Sequence, residues 1–338
     1  MSNSHKVTIS DIARRANVSP STVSRVLRGT TVVSEEKHQA VLDAVERLNY
    51  RPNIFAQSLA SGRSMVIGVL TQRFGSPFYD GILQGILHGL EQTAYSPLFA
   101  DGRWNNVVEA QALQTLIDRQ VDGLILIGGQ LPADRLQKLA AELPLIVVGR
   151  EIETLLHQCL TVKNREAAYR AVSHLIELGH QHIAHITGPN MDDPTSDITH
   201  RYEGYRDALR DAGIEFDPRR VVSGTLQQQS GVIAVEALLT RGRPFSAIFA
   251  ANDQMAFGAR LALYRHGIRV PEDVSMIGFD DEASAGYMIP PLTTLRQPAQ
   301  ELGEAATRAV LALIEGTSEV AHRFEAEFIR RESVTRAS

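Results

Sequence analysis

The sequence predicts an α/β protein: a small all-α head followed by a long body of parallel sheet with helices on both faces. Three observations predict it. Apolar side chains in the first fifty residues recur at helical spacing. From Met65 onward, short wholly apolar runs alternate with amphipathic stretches. Charge is also divided. Residues 1–63 hold nine Lys/Arg against five Asp/Glu, a balance of +4, while the whole chain carries −5, so the other 275 residues carry −9.

The chain has 338 residues and a mass of 37.1 kDa, enough for two or three domains at roughly 100–200 residues each. Hydrophobic residues are 43% and charged residues 22% of the chain, a balance that forms cores and excludes wholesale disorder. No run approaches the ~18 uninterrupted apolar residues of a membrane-spanning helix. Residues 1–7 are polar with no apolar stretch behind them, so no secretory signal is expected. Cys159 is the single cysteine, which excludes an internal disulfide framework and a thiol-rich metal site. A cytoplasmic location follows as the expectation. A basic head on an acidic body points to an anionic partner for the head alone, against the plainer reading of a fluctuation in a small, surface-rich domain.

The head divides into three helices. Thr8-Ile9-Ser10-Asp11 has the form of a capping box with Asp at its fourth position, and Ile9, Ile12, Ala13 and Ala16 keep helical spacing. Asn17-Val18 breaks the first helix. Ser19 can cap a second, with Pro20 at its first position, where no amide partner is needed. Val23, Val26 and Leu27 form its inner face, and Gly29 ends it. Ser34 can cap a third, with Glu35 and Glu36 at the positive end of its dipole and a buried stripe of Val41, Leu42, Val45 and Leu48. Two short helices joined by a tight turn, with a third across them, make a helix-turn-helix unit. Its second helix exposes Pro20, Ser21, Thr22, Ser24, Arg25 and Arg28, side chains able to contact phosphates and base edges. A generic three-helix cap is the alternative.

After Tyr50-Arg51-Pro52, residues 53–62 could form a helix of about two turns. That is too short to stand alone, so it would form only when docked. Leu59 is an apolar residue of the kind wedged into a minor groove, where a plain linker is the bland reading. Val7-Thr8-Ile9-x-Asp11-Ile12-Ala13, Val18-Ser19-x-x-Thr22-Val23-Ser24-Arg25-Val26-Leu27 and Leu48-x-Tyr50-x-Pro52-Asn53 together resemble the headpiece of the lactose/galactose repressor (LacI/GalR) family. The resemblance runs to the chain end. It implies that Pro20, Ser21 and Arg25 hold base-reading positions. It also implies that Leu59 is the paired hinge wedge of a homodimer on a pseudo-palindromic, double-stranded operator. The DNA-binding set is then Thr8, Ser19, Pro20, Ser21, Thr22, Ser24, Arg25 and Arg28 with Asn53, Ala56, Gln57 and Leu59.

In the body, strands are expected at 66–70, 97–100, 123–127, 145–148, 183–186, 247–250 and 274–278. These are too many for one ordinary sheet. The arrangement resembles the periplasmic-binding-protein-like body of the same family, two doubly wound parallel-sheet lobes between which the chain crosses three times, near 162–164, near 293–297 and near Arg323. The expected domains are a headpiece at 1–51, a hinge at 52–63 and a body at 64–338. The N-lobe takes about 64–163 and 297–322, and the C-lobe about 164–293 and 323–336. In such sheets ligands sit beyond the carboxyl ends of the strands, here between the lobes.

Those strand ends carry the chemistry. Phe78 and Tyr79 follow the first strand and could stack on a sugar or a base, though Phe78 can equally pack under its helix. Asp101, Arg103 and Trp104 follow the second, and Arg150 the fourth. Arg201 begins a helix, Asn252 and Asp280 end strands, and Gln297 lies at a crossing. Arg, Asn, Asp and Gln converging on one crevice suit a polyhydroxylated ligand, whose hydroxyls both donate and accept. The resemblance places Phe78, Arg150, Arg201, Asn252, Asp280 and Gln297 in the effector pocket. Tyr79, Asp101 and Arg103 complete the expected set. The chain departs from many relatives at Leu226, where an aromatic is usual, which leaves Trp104 as the substitute platform.

Enzyme readings fare poorly. Asp280-Asp281 and Asp192-Asp193 are adjacent pairs whose side chains diverge on a strand. His174, His180, His182 and His185 flank a strand entry and read as a solvated turn plus a core histidine rather than a metal site. No phosphate-binding, dinucleotide or nucleophile-elbow motif occurs. The expectation is a repressor without cofactor, metal or membrane partner, governed by a mono- or disaccharide inducer. The alternatives are a purine-type corepressor or a sugar receptor with no DNA role. Residues 332–338 lack leucine heptads, so a dimer without a coiled-coil tetramer is expected.

Overall fold

The computed structural model describes residues 7–27, 33–48, 50, 62–189, 191–242, 244–317 and 323–337. The chain divides into two compact units, Met1–Ser64 and Met65–Ser338.

The first unit has helices α1 (Ile9–Ala16), α2 (Pro20–Leu27) and α3 (Glu35–Arg47). The Asp11 carboxylate accepts from the Thr8 amide at 3.0 Å, the return half of a capping box, and the Thr8 hydroxyl donates to the same carboxylate at 2.7 Å. The Ser19 hydroxyl accepts from the Thr22 amide at 3.2 Å, capping α2. Ile12, Ala13, Val23, Val26, Val41 and Ala44 form the core. Leu42 departs from the expected stripe and is 41% exposed. Val41, Ala44, Val45 and Leu48 already complete the i, i+3, i+4, i+7 face, and Leu42 sits about 100° round the helix from Val41.

Among the described residues the second unit contains a six-stranded sheet ordered β11-β5-β4-β3-β1-β2, a four-stranded sheet ordered β7-β6-β8-β9, and a pair β10-β12. The strands are β1 (Val66–Thr71), β2 (Ser96–Asp101), β3 (Gly123–Ile127), β4 (Leu145–Val148), β5 (Cys159–Val162) and β6 (Ile183–Thr187). They continue with β7 (Val221–Ser223), β8 (Ala247–Ala250), β9 (Ser275–Ile277), β10 (Thr294–Arg296), β11 (Arg323–Phe324) and β12 (Glu327–Ile329). Both large sheets are parallel throughout. Every expected strand is present. Strands β5, β7 and β10 to β12 are additional to those expected; they are short, and several carry polar residues.

Alternation of the strand residues explains the layers. Ile67, Val69, Ile125 and Ile146 share a cluster with α4 (Pro77–Leu90) and α11 (Ala299–Ile314). Leu70, Leu124, Leu126 and Leu145 face the other way, onto α5 (Asn106–Asp118) and α6 (Ala133–Glu142). In the second sheet Ile183 and Phe249 pack with α7 (Asn164–Glu177) and α8 (Asp197–Asp211). Ala184, Ile186 and Ile248 pack with α9 (Gln228–Thr240) and α10 (Asp253–Arg265). Helices α4 and α11 touch backbone to backbone: a Cβ on Gly85 would lie 2.0 Å from the Gln300 carbonyl, so only glycine fits.

The chain passes between the sheets from β5 into α7, then along β10, then along β12, which runs antiparallel to β10. Because β11 still pairs with β5, the last passage begins after Phe324, slightly later than Arg323. No helix among the described residues is long and apolar enough to cross a membrane.

Candidate functional site

A cleft with about 870 Å³ of empty space, its mouth included, opens at the carboxyl ends of the strands of both sheets.

The lobe of the six-stranded sheet contributes rings. Phe78 and Tyr79 stand at the start of α4, and Trp104 lies in the loop after β2. Their centroids are 5.5 Å apart for Phe78–Tyr79 and 6.3 Å for Tyr79–Trp104, both pairs tilted. Burial drives the Tyr79 hydroxyl pKa up, so it stays neutral.

The other lobe contributes ionisable groups. Arg201, on the second turn of α8, is 4% exposed. Its Nε donates to Asn164 Oδ1 at 2.7 Å and its Nη1 to the Ala251 carbonyl at 2.6 Å, and its guanidinium lies 3.7 Å above the Phe279 ring. Asp280 follows β9 with a left-handed backbone, φ 113°. Its Oδ1 is 3.9 Å from Arg201 Nη1 and accepts 2.6 Å from Gln297 Nε2. Burial lifts its pKa to about 6 against the opposing pull of Arg201 and the Gln297 bond. Asp197, the first residue of α8, is lifted by burial to about 7, again opposed by Arg201. Gly149 makes room for it: a Cβ there would sit 3.1 Å from Asp197 Oδ2, and its φ of +78° is one that L side chains rarely adopt. Two buried acceptors lining the cavity, Asp197 Oδ1 and Gln297 Oε1, have no hydrogen-bond partner among the described residues.

Phe78, Tyr79, Arg150, Arg201, Asn252, Asp280 and Gln297 from the expected set all line this cavity, as do Trp104 and Leu226. Asn252 also serves the fold: its Oδ1 caps α10 at Met255 and its Nδ2 donates to the Leu226 carbonyl. Asp101 and Arg103 are not among the lining residues. Asp101 instead accepts the amide of Arg103 in its own turn and that of Phe74 in the loop after β1. Arg73, Ser76, Asp197 and Thr225 line the cavity and were not anticipated. For Asp197 a signal existed: Ser196 can cap a helix, and Asp197 lies four residues before Arg201 on the same helical face.

His180 and His185 are taken up by the fold. His185 is stacked on Tyr205 and Phe249, and burial lowers its pKa to about 4. His180 is buried and bonded to Ser246 and the Thr335 carbonyl, while His182 is exposed. Among the described residues no three His, Cys, Asp or Glu side chains gather as a metal site. Asp281 pairs with Arg296 (2.8 Å) and Arg331 (2.7 Å).

In the first unit, Thr8, Ser19, Pro20, Ser21 and Arg25 are exposed, and Thr22 and Ser24 half-buried. The Ser19 hydroxyl lies 2.8 Å from those of Ser21 and Thr22. α2 thus presents a short polar face with one arginine. Arg28, Asn53, Ala56, Gln57 and Leu59 lie outside the described residues.

A capped three-helix head with a polar second helix, joined in one chain to a two-lobed body with a cleft, has the make-up of a helix-turn-helix transcriptional regulator. The comparisons give the family. The family model for bacterial regulatory proteins of the lacI family matches residues 8–53, and that for a periplasmic binding protein-like domain matches residues 172–334. The HTH-type transcriptional regulator AscG of Escherichia coli strain K12 is 36% identical over 332 residues, covering 97% of this chain and 98% of its own. A lac repressor dimer crystallised with operator and the anti-inducer ONPF superposes with a TM-score of 0.87 at 29% identity, covering 97% of this chain and 99% of its own. A complex of the transcriptional regulator CelR with cellobiose gives 0.73 at 32% identity over the same shares. The chain belongs to the lacI family and is a DNA-binding transcriptional regulator.

Proposed function

We propose that the protein is a homodimeric repressor whose affinity for a pseudo-palindromic operator is set by a mono- or disaccharide bound in the cleft. The observation that carries the sugar reading is the pair of buried acceptors without partners, Asp197 Oδ1 and Gln297 Oε1, in a cavity walled by three aromatic side chains. A buried acceptor left unpaired costs about 1–3 kcal/mol, and a hydroxyl donor relieves it. Sugar hydroxyls donate, and the apolar ring face packs on aromatics, with Trp104 standing in for the ring that Leu226 does not supply. The cellobiose in the CelR complex agrees with this chemistry.

On the DNA side, Pro20, Ser21 and Arg25 of α2 address base edges, and Thr8, Ser19, Thr22, Ser24 and Arg28 surround them. The hinge, with Asn53, Ala56, Gln57 and the wedge Leu59, docks only when the two copies hold it at the right spacing. Ligand in the cleft favours one arrangement of the lobes, and the hinge spacing follows. Ligand affinity and operator affinity are then reciprocally coupled.

A thermal-shift screen tests the ligand class, since a tight ligand raises stability by mass action. Cellobiose, galactose, ribose, hypoxanthine and guanine would be added in turn to full-length protein. A rise in melting temperature with a sugar is expected. A rise with the purines alone would overturn the sugar reading.

A further inference from the structure

Apart from the three crossings, the lobes meet where Arg150, after β4, faces the segment leading into α8. Arg150 is 3% exposed and lines the cavity, yet its guanidinium is committed. Nη1 donates to the Leu131 carbonyl of its own lobe at 2.7 Å. Nε and Nη2 donate across to Thr195 Oγ1 at 3.1 and 3.0 Å, and Nη2 also to Asp193 Oδ2 at 3.2 Å. The backbone joins in: the Glu151 amide donates to the Thr195 carbonyl at 3.0 Å, and Arg150 and Ser196 form an antiparallel bridge.

Each half is built within its own lobe. Leu131 fixes the guanidinium. Asp193 Oδ1 accepts the Thr195 amide at 2.9 Å and its hydroxyl at 2.7 Å, and the Thr199 hydroxyl holds the Asp193 carbonyl at 2.7 Å. Two preformed halves mate with little ordering cost, which suits a contact that opens and closes. Ser196 then caps α8, whose first turns carry Asp197 and Arg201 into the cavity.

We infer that Arg150, with Asp193 and Thr195, is a latch that holds the cleft shut and positions Asp197 and Arg201 opposite the aromatic wall. Arg150 is thereby a positioning residue, one that acts through the segment before α8. The consequence for ligand rests on the sugar-cleft reading, while the latch itself can be tested with no ligand present.

Hydrogen exchange and small-angle scattering on the full-length protein, without added ligand, test it. Thr195→Val removes the hydroxyl and keeps the shape. Exchange at the Glu151 amide should accelerate about tenfold or more, the radius of gyration should rise, and strand amides of both sheets should keep their protection. Asp193→Asn should move the same readouts in the same direction by less. Thr195→Ser, which restores the hydroxyl, should behave as the parent. Unchanged Glu151 exchange and scattering in Thr195→Val would overturn the latch, and so would a serine variant as open as the valine one. Either result is independent of whether any sugar binds.

Discussion

The two walls of the cleft are made of different matter. The lobe of the six-stranded sheet offers Phe78, Tyr79 and Trp104, and the lobe of the four-stranded sheet offers Asp197, Arg201 and Asp280. The first wall brings the three rings beside Arg73, Ser76 and Arg150, and the second brings the buried carboxylates and Arg201 beside Ile198 and Leu226. A ligand satisfied by both must bridge the lobes, so its binding energy is available only when they are together. That gives the ligand a differential affinity for one lobe arrangement, which is what a population shift requires.

The charged wall depends most on Arg201. Arg201→Met removes a buried guanidinium and leaves Asn164 Oδ1, the Ala251 carbonyl and Asp280 without it. Chemical denaturation should show a loss of about 3–5 kcal/mol, and ligand binding should vanish. Stability unchanged within error would mean that the charged wall does not hold its lobe together.

Next in size is the pH response of that wall. Asp197 and Asp280 titrate near 7 and 6 in the folded chain, above the usual carboxylate range because burial penalises the charged form. A raised acid pKa adds stability below the unfolded value and loses it as pH rises through the folded one. Melting temperature should therefore fall between about pH 4 and 7 on their account, and Asp197→Asn should flatten that slope. A hydroxyl donated to Asp197 Oδ1 favours the carboxylate, so ligand binding near pH 7 should release protons. Calorimetry in buffers of different ionisation enthalpy reads this, and equal heats in all buffers would contradict it.

The aromatic wall should yield a smaller effect. Trp104→Ala should weaken sugar binding by about 0.5–1.5 kcal/mol in titration calorimetry while leaving ligand-free operator affinity alone. Asp101→Asn, in the same loop but off the cavity, should change ligand affinity by less than about 0.5 kcal/mol. If Asp101 mattered as much as Trp104, the outline of the aromatic wall would be wrong.

Much of this was legible in the sequence, for physical reasons that also explain the gaps. The capping box at Thr8 and the cap at Ser19 are local, so a few residues specify them. Buried parallel strands are apolar on both faces and announce themselves. The short strands β5 and β7 do not, and Leu42 needed the helical angle, not just its hydrophobicity. Strand ends located the cleft, but not which side chain of a turn enters it, and the backbone conformation does not tell neighbours apart. Arg103 and Trp104 both adopt left-handed φ, 54° and 51°, and only Trp104 lines the cavity. Partnerships such as Arg150 with Thr195 join residues 45 apart across two lobes, which no local pattern encodes.

Coupling between cleft and operator is tested most directly by an operator titration at fixed salt, since phosphate contacts make every affinity depend on ionic strength. With the sugar identified by thermal shift at saturation, operator affinity should change at least about tenfold, equivalent to about 1.4 kcal/mol of coupling. Equal affinity with and without saturating sugar would contradict it.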